Sequence, residues 1–355
     1  MNLNSVLSEL TGKILLVDDS VENLKLLSAL LADKYAVKVA KEGKTALRLL
    51  EEDEEIRLIL LDIEMPNMSG IEVCKRVKEN AKTKHIPVIF ITGRDDHESE
   101  VEGLLAGGVD YIRKPFKPEI VMARVSSQWT IQAEKQRADG LLEILLPETV
   151  IKSLLVNGYH LPEDHDHASV LFFDLVGFTQ ASNKMEAKQL FKDLSTLFGI
   201  FDELTDKYGV QRIKTLGDGY LAVSGVDGNT SLHAARLAAM GLEMVDQVKN
   251  HSDKGGYPWQ CRIGLNSGPM MSGIVGNTRF QFDVIGDTVN IASRVESEGK
   301  LMALTVTAEF LDTLGGISFE SQSLGSSELK GKGERELFEL VSLDASALGL
   351  STVDE

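Results

Sequence analysis

The chain has 355 residues, 43% hydrophobic and 26% charged, enough for two or three domains with apolar cores. A formal net charge of −17 argues against a phosphate-backbone binder, so nucleic acid is not an expected partner. Two cysteines far apart, Cys74 and Cys261, exclude a disulfide framework, and no apolar run nears the ~18 residues of a membrane span. The first residues, MNLNSVLSELTGK, lack the basic start and apolar run of a signal peptide, so a cytoplasmic protein with no membrane partner is expected.

Along the first 120 residues, short apolar runs alternate with helical spacing. KILLV (13–17), YAVKVA (35–40), LILL (58–61), IPVIFI (86–91) and VDYI (109–112) read as buried strands. Between them, 21–32, 44–53, 70–80 and 97–106 read as helices. This alternation predicts a doubly wound, five-stranded parallel sheet with helices on both faces. Ligands bind such sheets at the carboxyl ends of the strands. There stand Asp18 and Asp19, Asp62, Thr92 and Lys114, each just past a strand. Clustered carboxylates repel unless a cation joins them, and oxygen-only ligation suits magnesium. A carboxylate can also attack phosphorus.

LLVDDS, LLDIEMPNMSG, FITGR and DYIRKPF carry a resemblance to the response-regulator receiver domain, over residues 12–122. The resemblance implies a flavodoxin-like fold, Asp62 as phospho-acceptor, and a magnesium site of Asp18, Asp19 and Asp62. It implies Lys114 as a phosphate contact, Thr92 as the switch hydroxyl, Tyr111 as the switch aromatic, and a histidine kinase as phosphodonor.

A helix is expected from Pro118, since proline suits a first helical turn, to about Leu146, before Pro147. A seven-residue spacing runs through Val121, Gln128, Lys135 and Leu142, with Arg124, Ile131, Ala138 and Leu145 as companions. It admits either a weak coiled coil or an amphipathic helix packed on one domain. PEDHDHA (162–168) reads as a solvated loop before a strand, with a His165–His167 metal site as the alternative. The expected domain limits are a tail over 1–11, the first domain over 12–122, a helical linker over 123–162, a second domain over 163–343 and a tail over 344–355.

In the second half, ASVLFFDLVGFT (168–179) is a strand running into Asp174. RIKTLGDGYLAV (212–223) is a hairpin that places Lys214 and Asp218 about its glycines. Two strand-end aspartates can clamp two divalent cations, a device of phosphoryl or nucleotidyl transfer. CRIGLNSGPMMSGIVG (261–276) carries Arg262 on a strand with glycines. In FDVIGDTVNIASRVES (282–297), Asp283 ends a strand and a helix over 287–298 is expected, capped by Asp287. On it Asn290 and Arg294 are four apart and share a face, aimed at developing negative charge. LKGKGERELFEL (329–340) is a glycine–lysine hairpin offering Lys330 or Lys332 to phosphates.

In this order the motifs resemble the class III nucleotidyl cyclase catalytic domain, over roughly 165–343. The resemblance implies an α/β sandwich with a ferredoxin-like core and a head-to-tail homodimer with its active sites at the subunit interface. Asp174 and Asp218 would bind two magnesium or manganese ions, Lys214 and Asp283 the purine, and Arg262 and Lys330 the triphosphate. Asn290 would orient the ribose and Arg294 would stabilise the transition state. Guanylyl members carry glutamate and cysteine where this chain has Lys214 and Asp283, which argues for ATP. The expectation is therefore an adenylyl cyclase regulated by receiver phosphorylation. A guanylyl cyclase and a catalytically weak signalling scaffold are the alternatives.

Overall fold

The computed structural model describes residues 11–93, 97–228, 230–276, 278 and 280–349. The expected first tail, except Thr11, and the end of the expected last tail lie outside the described residues, as does Arg94 of the fourth-strand motif. The chain divides into two compact units, 1–145 and 146–355.

The first unit is built on β1 (Lys13–Val17), β2 (Ala36–Ala40), β3 (Ile56–Asp62), β4 (Val88–Thr92) and β5 (Asp110–Arg113). All pairings are parallel and the order is β2-β1-β3-β4-β5. The helices are α1 (Val21–Leu31), α2 (Gly43–Glu52), α3 (Gly70–Glu79), α4 (His97–Leu105) and α5 (Pro118–Leu145). The central strands are apolar throughout because both their faces are covered. Ile14 and Leu16 pack with Leu24, Leu27 and Leu31 of α1 and Val121 and Val125 of α5. Leu15 and Val17 pack oppositely, with Ala46 and Leu50 of α2 and Val73 and Val77 of α3. Ser20 and Ser69 cap α1 and α3 by accepting from the N–H groups of Asn23 and Glu72.

Helix α5 packs on this sheet through its first three turns. Trp129 closes the packed stretch, its ring 5.0 Å from that of Tyr35. Arg124, one of the expected heptad positions, donates to Asp110 Oδ2 at 2.6 Å within the same unit.

The second unit opens with α6 (Glu148–Asn157), a helix the sequence reading did not separate from the linker. Pro147 lacks the N–H to continue α5 and instead sits at the N-cap of α6. The sheet order is β12-β13-β11-β9-β6-β8-β7, with β10 paired to β9. Its strands are β6 (Glu163–Val176), β7 (Gln211–Leu216), β8 (Gly219–Ser224), β9 (Gln260–Val275), β10 (Gln281–Ile285), β11 (Leu304–Thr307), β12 (Phe319–Leu329) and β13 (Gly333–Leu343). The expected loop at 162–168 is a correction: from Glu163 it is already β6, and His165 bonds Ser272 of β9 at 2.8 Å. Its polar side chains hide the strand, because that end of β6 is exposed on both faces and shows no apolar alternation.

After β6 come α7 (Phe178–Ser182), α8 (Ala187–Tyr208), α9 (His233–Asp253), α10 (Asp287–Glu298) and α11 (Ala308–Asp312). Strand side chains alternate between faces. Leu171, Phe173 and Leu175 of β6 pack with α8 and α9 around Leu197, Phe201 and Met240. Val170 faces the other way, onto Val289 and Ala292 of α10. No helix among the described residues is long and apolar enough to cross a membrane.

Candidate functional site

In the first unit the strand order reverses between β1 and β3, and the carboxyl ends of those two strands carry the acids. Asp18 follows β1 and is fully buried, and Asp62 ends β3 at 2% exposure. With exposed Asp19 they can bring one oxygen each within 4.8 Å of one another, a spacing one cation can bridge. Lys114 reaches in from the loop after β5, its Nζ 2.9 Å from Asp62 Oδ2 and 3.0 Å from Asp18 Oδ2. Burial raises the Asp62 carboxyl, and Lys114 pulls it back. Thr92 is buried at the end of β4, where its carbonyl accepts from the Lys114 N–H at 2.8 Å. Tyr111 lies on β5 with the guanidinium carbons of Arg113 and Arg124 5.7 and 5.6 Å from its ring centre. Arg124 belongs to α5, so this helix touches the expected switch aromatic directly.

In the second unit Asp174 sits near the end of β6, opposite Gly219 of β8. Asp218 occupies the two-residue turn just before Gly219, so the register brings the two acids together. Beyond Asp174 the chain leaves the strand at Gly177, whose φ of 80° is a conformation only glycine adopts without strain. Burial and then the Asp218 charge push Asp174 up to about 6. Burial also raises Asp218. Two crowded, half-buried carboxylates with raised affinity for protons fit a pair of hard divalent cations such as magnesium or manganese.

Arg262 of β9 pairs in register with Asp174. Cys261 and Ile263 face α9, which leaves Arg262 and Gly264 on the side of α10. A side chain at Gly264 would lie 2.1 Å from the Glu296 nitrogen, so glycine here lets α10 press onto the sheet. That contact delivers Glu296, which sequence reasoning missed. Burial, then Asp174, push it up to about 7. Its only sequence signal is its place two residues after Arg294; the coupling needs the glycine contact to be seen. The Arg262 Nη1 donates to the Ser297 carbonyl at 3.0 Å, and its Nε is buried without a hydrogen-bond partner among the described residues.

Lys214 of β7 and Asp283 of β10 meet, Nζ to Oδ2 at 2.5 Å, although they lie 69 positions apart in the chain. Phe282, the strand neighbour of Asp283, points the opposite way, and Ile213 sits at a β-bulge beside Lys214. With Ile274 they pack against Leu146 and against Val150, Ile151 and Leu154 of α6. The helix that opens this unit therefore packs on the residues that flank the ion pair.

Asn290 and Arg294 stand exposed on α10, while Val289, Ile291, Ala292 and Val295 are buried beneath them. The cap of α10 is Gly286, not Asp287 as expected; Asp287 is the first helical residue and pairs with Lys332. That ion pair ties down Lys332, while Lys330 is exposed just past β12. Thus Asp174, Asp218, Arg262 and Glu296 form one cluster and Lys214 with Asp283 another. Asn290 and Arg294 point away from the sheet that carries both.

The family described as Adenylate and Guanylate cyclase catalytic domain matches residues 161–342, and the Response regulator receiver domain matches residues 14–126. An adenylate cyclase of Mycobacterium tuberculosis is 36% identical over 218 residues, which is 61% of this chain and 49% of that protein. Human retinal guanylyl cyclase 2 is also 36% identical over 218 residues, 59% of this chain and 20% of that one. The chain thus spans about half the length of the mycobacterial relative. The guanylate cyclase domain of RhGC from Catenaria anguillulae, solved with GTP, aligns at 30% identity with a TM-score of 0.49, covering 51% of this chain and 100% of that one. Relatives named for either purine are equally close, so likeness leaves the purine open.

Proposed function

The chain belongs to the family of adenylate and guanylate cyclase catalytic domains, with a receiver domain ahead of it, and we propose that it converts ATP to 3′,5′-cyclic AMP and pyrophosphate. The observation that carries the purine choice is the Lys214–Asp283 pair. Adenine offers an acceptor at N1 and a donor at N6, which Lys214 and Asp283 complement. Guanine offers a protonated N1 and an O6 acceptor, setting donor against donor and carboxylate against carbonyl. Mismatched buried polar groups discriminate strongly. The test is product formation by the purified chain from ATP and GTP supplied together. Preferred cyclic GMP would overturn the adenine reading and favour a guanylyl cyclase, the reading that the equally close retinal enzyme keeps in view.

In this reaction the ribose 3′-hydroxyl gives up its proton to solvent, its oxygen bonds the α-phosphorus, and the bond from that phosphorus to the bridging oxygen breaks as pyrophosphate departs. Asp174 and Asp218 would hold the two divalent cations, which supply charge neutralisation and a more acidic 3′-hydroxyl. Arg262, whose Nε has no partner among the described residues, and exposed Lys330 would hold the triphosphate. Asn290 would orient the ribose, and Arg294 would meet the charge that develops on phosphorus. Because these two side chains face outward from the unit that carries the acids, a second copy completing the site is the natural arrangement. Mixing Asp174→Ala with Asn290→Ala chains tests it: activity returns in the mixture if sites are shared, and stays absent if each chain is self-sufficient.

Asp62 would accept a phosphoryl group from a histidine kinase, with magnesium at Asp18, Asp19 and Asp62 and with Thr92, Tyr111 and Lys114 as the responding groups. A cytoplasmic location accompanies this reading, since ATP and phosphodonor kinase domains are found there.

A further inference from the structure

Asp193 of α8 is a buried acid that no step above uses, at 6% exposure. Its Oδ2 accepts from the indole Nε1 of Trp259 at 2.6 Å. Its Oδ1 lies 3.0 Å from Nε2 of His251, on the last turn of α9. A carboxylate this deep is costly unless both oxygens are engaged, and here both are. The bond to Nε1 also fixes how the indole lies. Trp259 is 3% exposed and stacks on Phe178, with ring centres 5.8 Å apart and planes 24° from parallel. Phe178 opens α7 directly after Gly177. On the strand side, Val176 pairs with Gln260, the neighbour of Trp259. One locked indole therefore touches Phe178, just past the end of β6, while the adjoining pair Val176–Gln260 holds the last residue of the strand that carries Asp174.

We propose that Asp193 is a positioning residue: through Trp259 it sets the turn at Gly177 that ends β6, and so the end of the strand that carries Asp174, a candidate ligand of a divalent cation. The inference rests on the cyclase reading for what that strand end does. If the Asp193 cluster only held α8 to α9, its loss would lower the amount of folded protein. It would leave the half-saturating metal concentration unchanged, because that quantity does not depend on how many molecules are active. Loss of a group that orients a metal ligand instead costs about 10- to 100-fold in metal affinity.

The test uses the full chain with Asp193→Leu, Asp193→Asn and Trp259→Phe. Two quantities are read: the Mn2+ concentration giving half-maximal turnover, and Mn2+ affinity by electron paramagnetic resonance. For the second, Asp18→Asn and Asp19→Asn are added to weaken the receiver's own site. Asp193→Leu is expected to raise the half-maximal Mn2+ concentration, and to lower Mn2+ affinity, about tenfold. Asp193→Asn keeps an acceptor for the indole and a donor for a neutral imidazole, and should stay within about twofold of wild type. Trp259→Phe keeps a ring but no N–H, and should fall between, at about threefold. Unchanged values in Asp193→Leu, or equal damage from Asp193→Asn, overturn the proposal. If Asp193→Leu does not fold, Trp259→Phe decides by the same measure. A wild type that binds Mn2+ but forms no cyclic nucleotide defeats the cyclase reading, and the affinity ratios then judge the Asp193 proposal alone.

Discussion

The two acid clusters of this chain solve one electrostatic problem in opposite ways. In the first unit Asp18 and Asp62 are buried beside Lys114, which bonds both at about 3 Å. In the second, Asp174 and Asp218 have no ion pair among the described residues, and both carboxyls are raised. The receiver cluster carries its own balancing ammonium group in Lys114. In the second cluster Arg262 offsets the acids only in part, and the carboxyls of Asp174 and Glu296 remain raised. The second unit does contain a balanced pair, Lys214 with Asp283, but its members lie 69 positions apart in the chain and a different pair of strands brings them together.

The widest gap between the clusters should appear on deleting one acid from each. Asp174→Ala is expected to cut cyclic nucleotide formation about a thousandfold, the loss of several kcal/mol of charge stabilisation. Asp62→Ala should leave basal turnover within about twofold while abolishing any change caused by a phosphoryl-mimicking ligand. Activity that survives Asp174→Ala would break the contrast at its root.

Next comes the balanced pair. Lys214→Glu together with Asp283→Cys should swing the GTP-to-ATP ratio of kcat/KM by about 10²- to 10⁴-fold. A swing confined to overall rate, with the ratio untouched, would show that the pair holds strands together and does not choose a base.

The raised carboxyls should also be visible in stability. Asp174 binds its proton up to about 6 when folded, against an ordinary 3.8. Between those values the folded chain holds a proton that the unfolded chain has released. Metal-free stability therefore falls as pH rises through that window. Glu296, raised from 4.5 to about 7, extends the decline toward neutrality. Melting of metal-free protein at pH 5 and pH 7.5 should show a drop of a few degrees in wild type and a smaller one in Asp174→Asn, with Mn2+ restoring the loss. An identical drop in both chains would place the charge burden elsewhere.

The smallest effect concerns how the receiver cluster reports outward. Arg124 of α5 bonds Asp110 and covers Tyr111. Arg124→Ala should shrink the receiver-dependent change in turnover about two- to threefold and leave basal rate unaltered, since one partly exposed ion pair and one cation–π contact are each worth about 1 kcal/mol or less. A full-sized response would exclude this contact as the link.

Much of the fold could be read because local pattern and tertiary outcome agree. The runs around Leu15, Leu60 and Ile89 are apolar on both faces and lie in the central strands of a parallel sheet. The reading failed at Glu163–His167, where a strand end carries polar side chains on both faces. At Pro147 it found the end of one helix but missed that another, Glu148–Asn157, begins there. The proposed site was legible wherever an acid or a basic side chain sits at a strand end or on one helix face, as Asp62, Asp174 and the Asn290–Arg294 pair do.

The amino-acid order by itself determined what short-range physics controls: apolar periodicity, helix starts, turn glycines, and the chemical kind of each side chain at a strand end. Only the tertiary structure decided which of them meet. Glu296 joins the aspartates because Gly264 lets a helix settle on a strand. Helix α6 packs on Ile213 and Phe282, the neighbours of the Lys214–Asp283 pair. Asp193 reaches a tryptophan 66 residues away. Burial and charge coupling depend on separations in space, and the chain's linear order carries no record of those until the sheet closes.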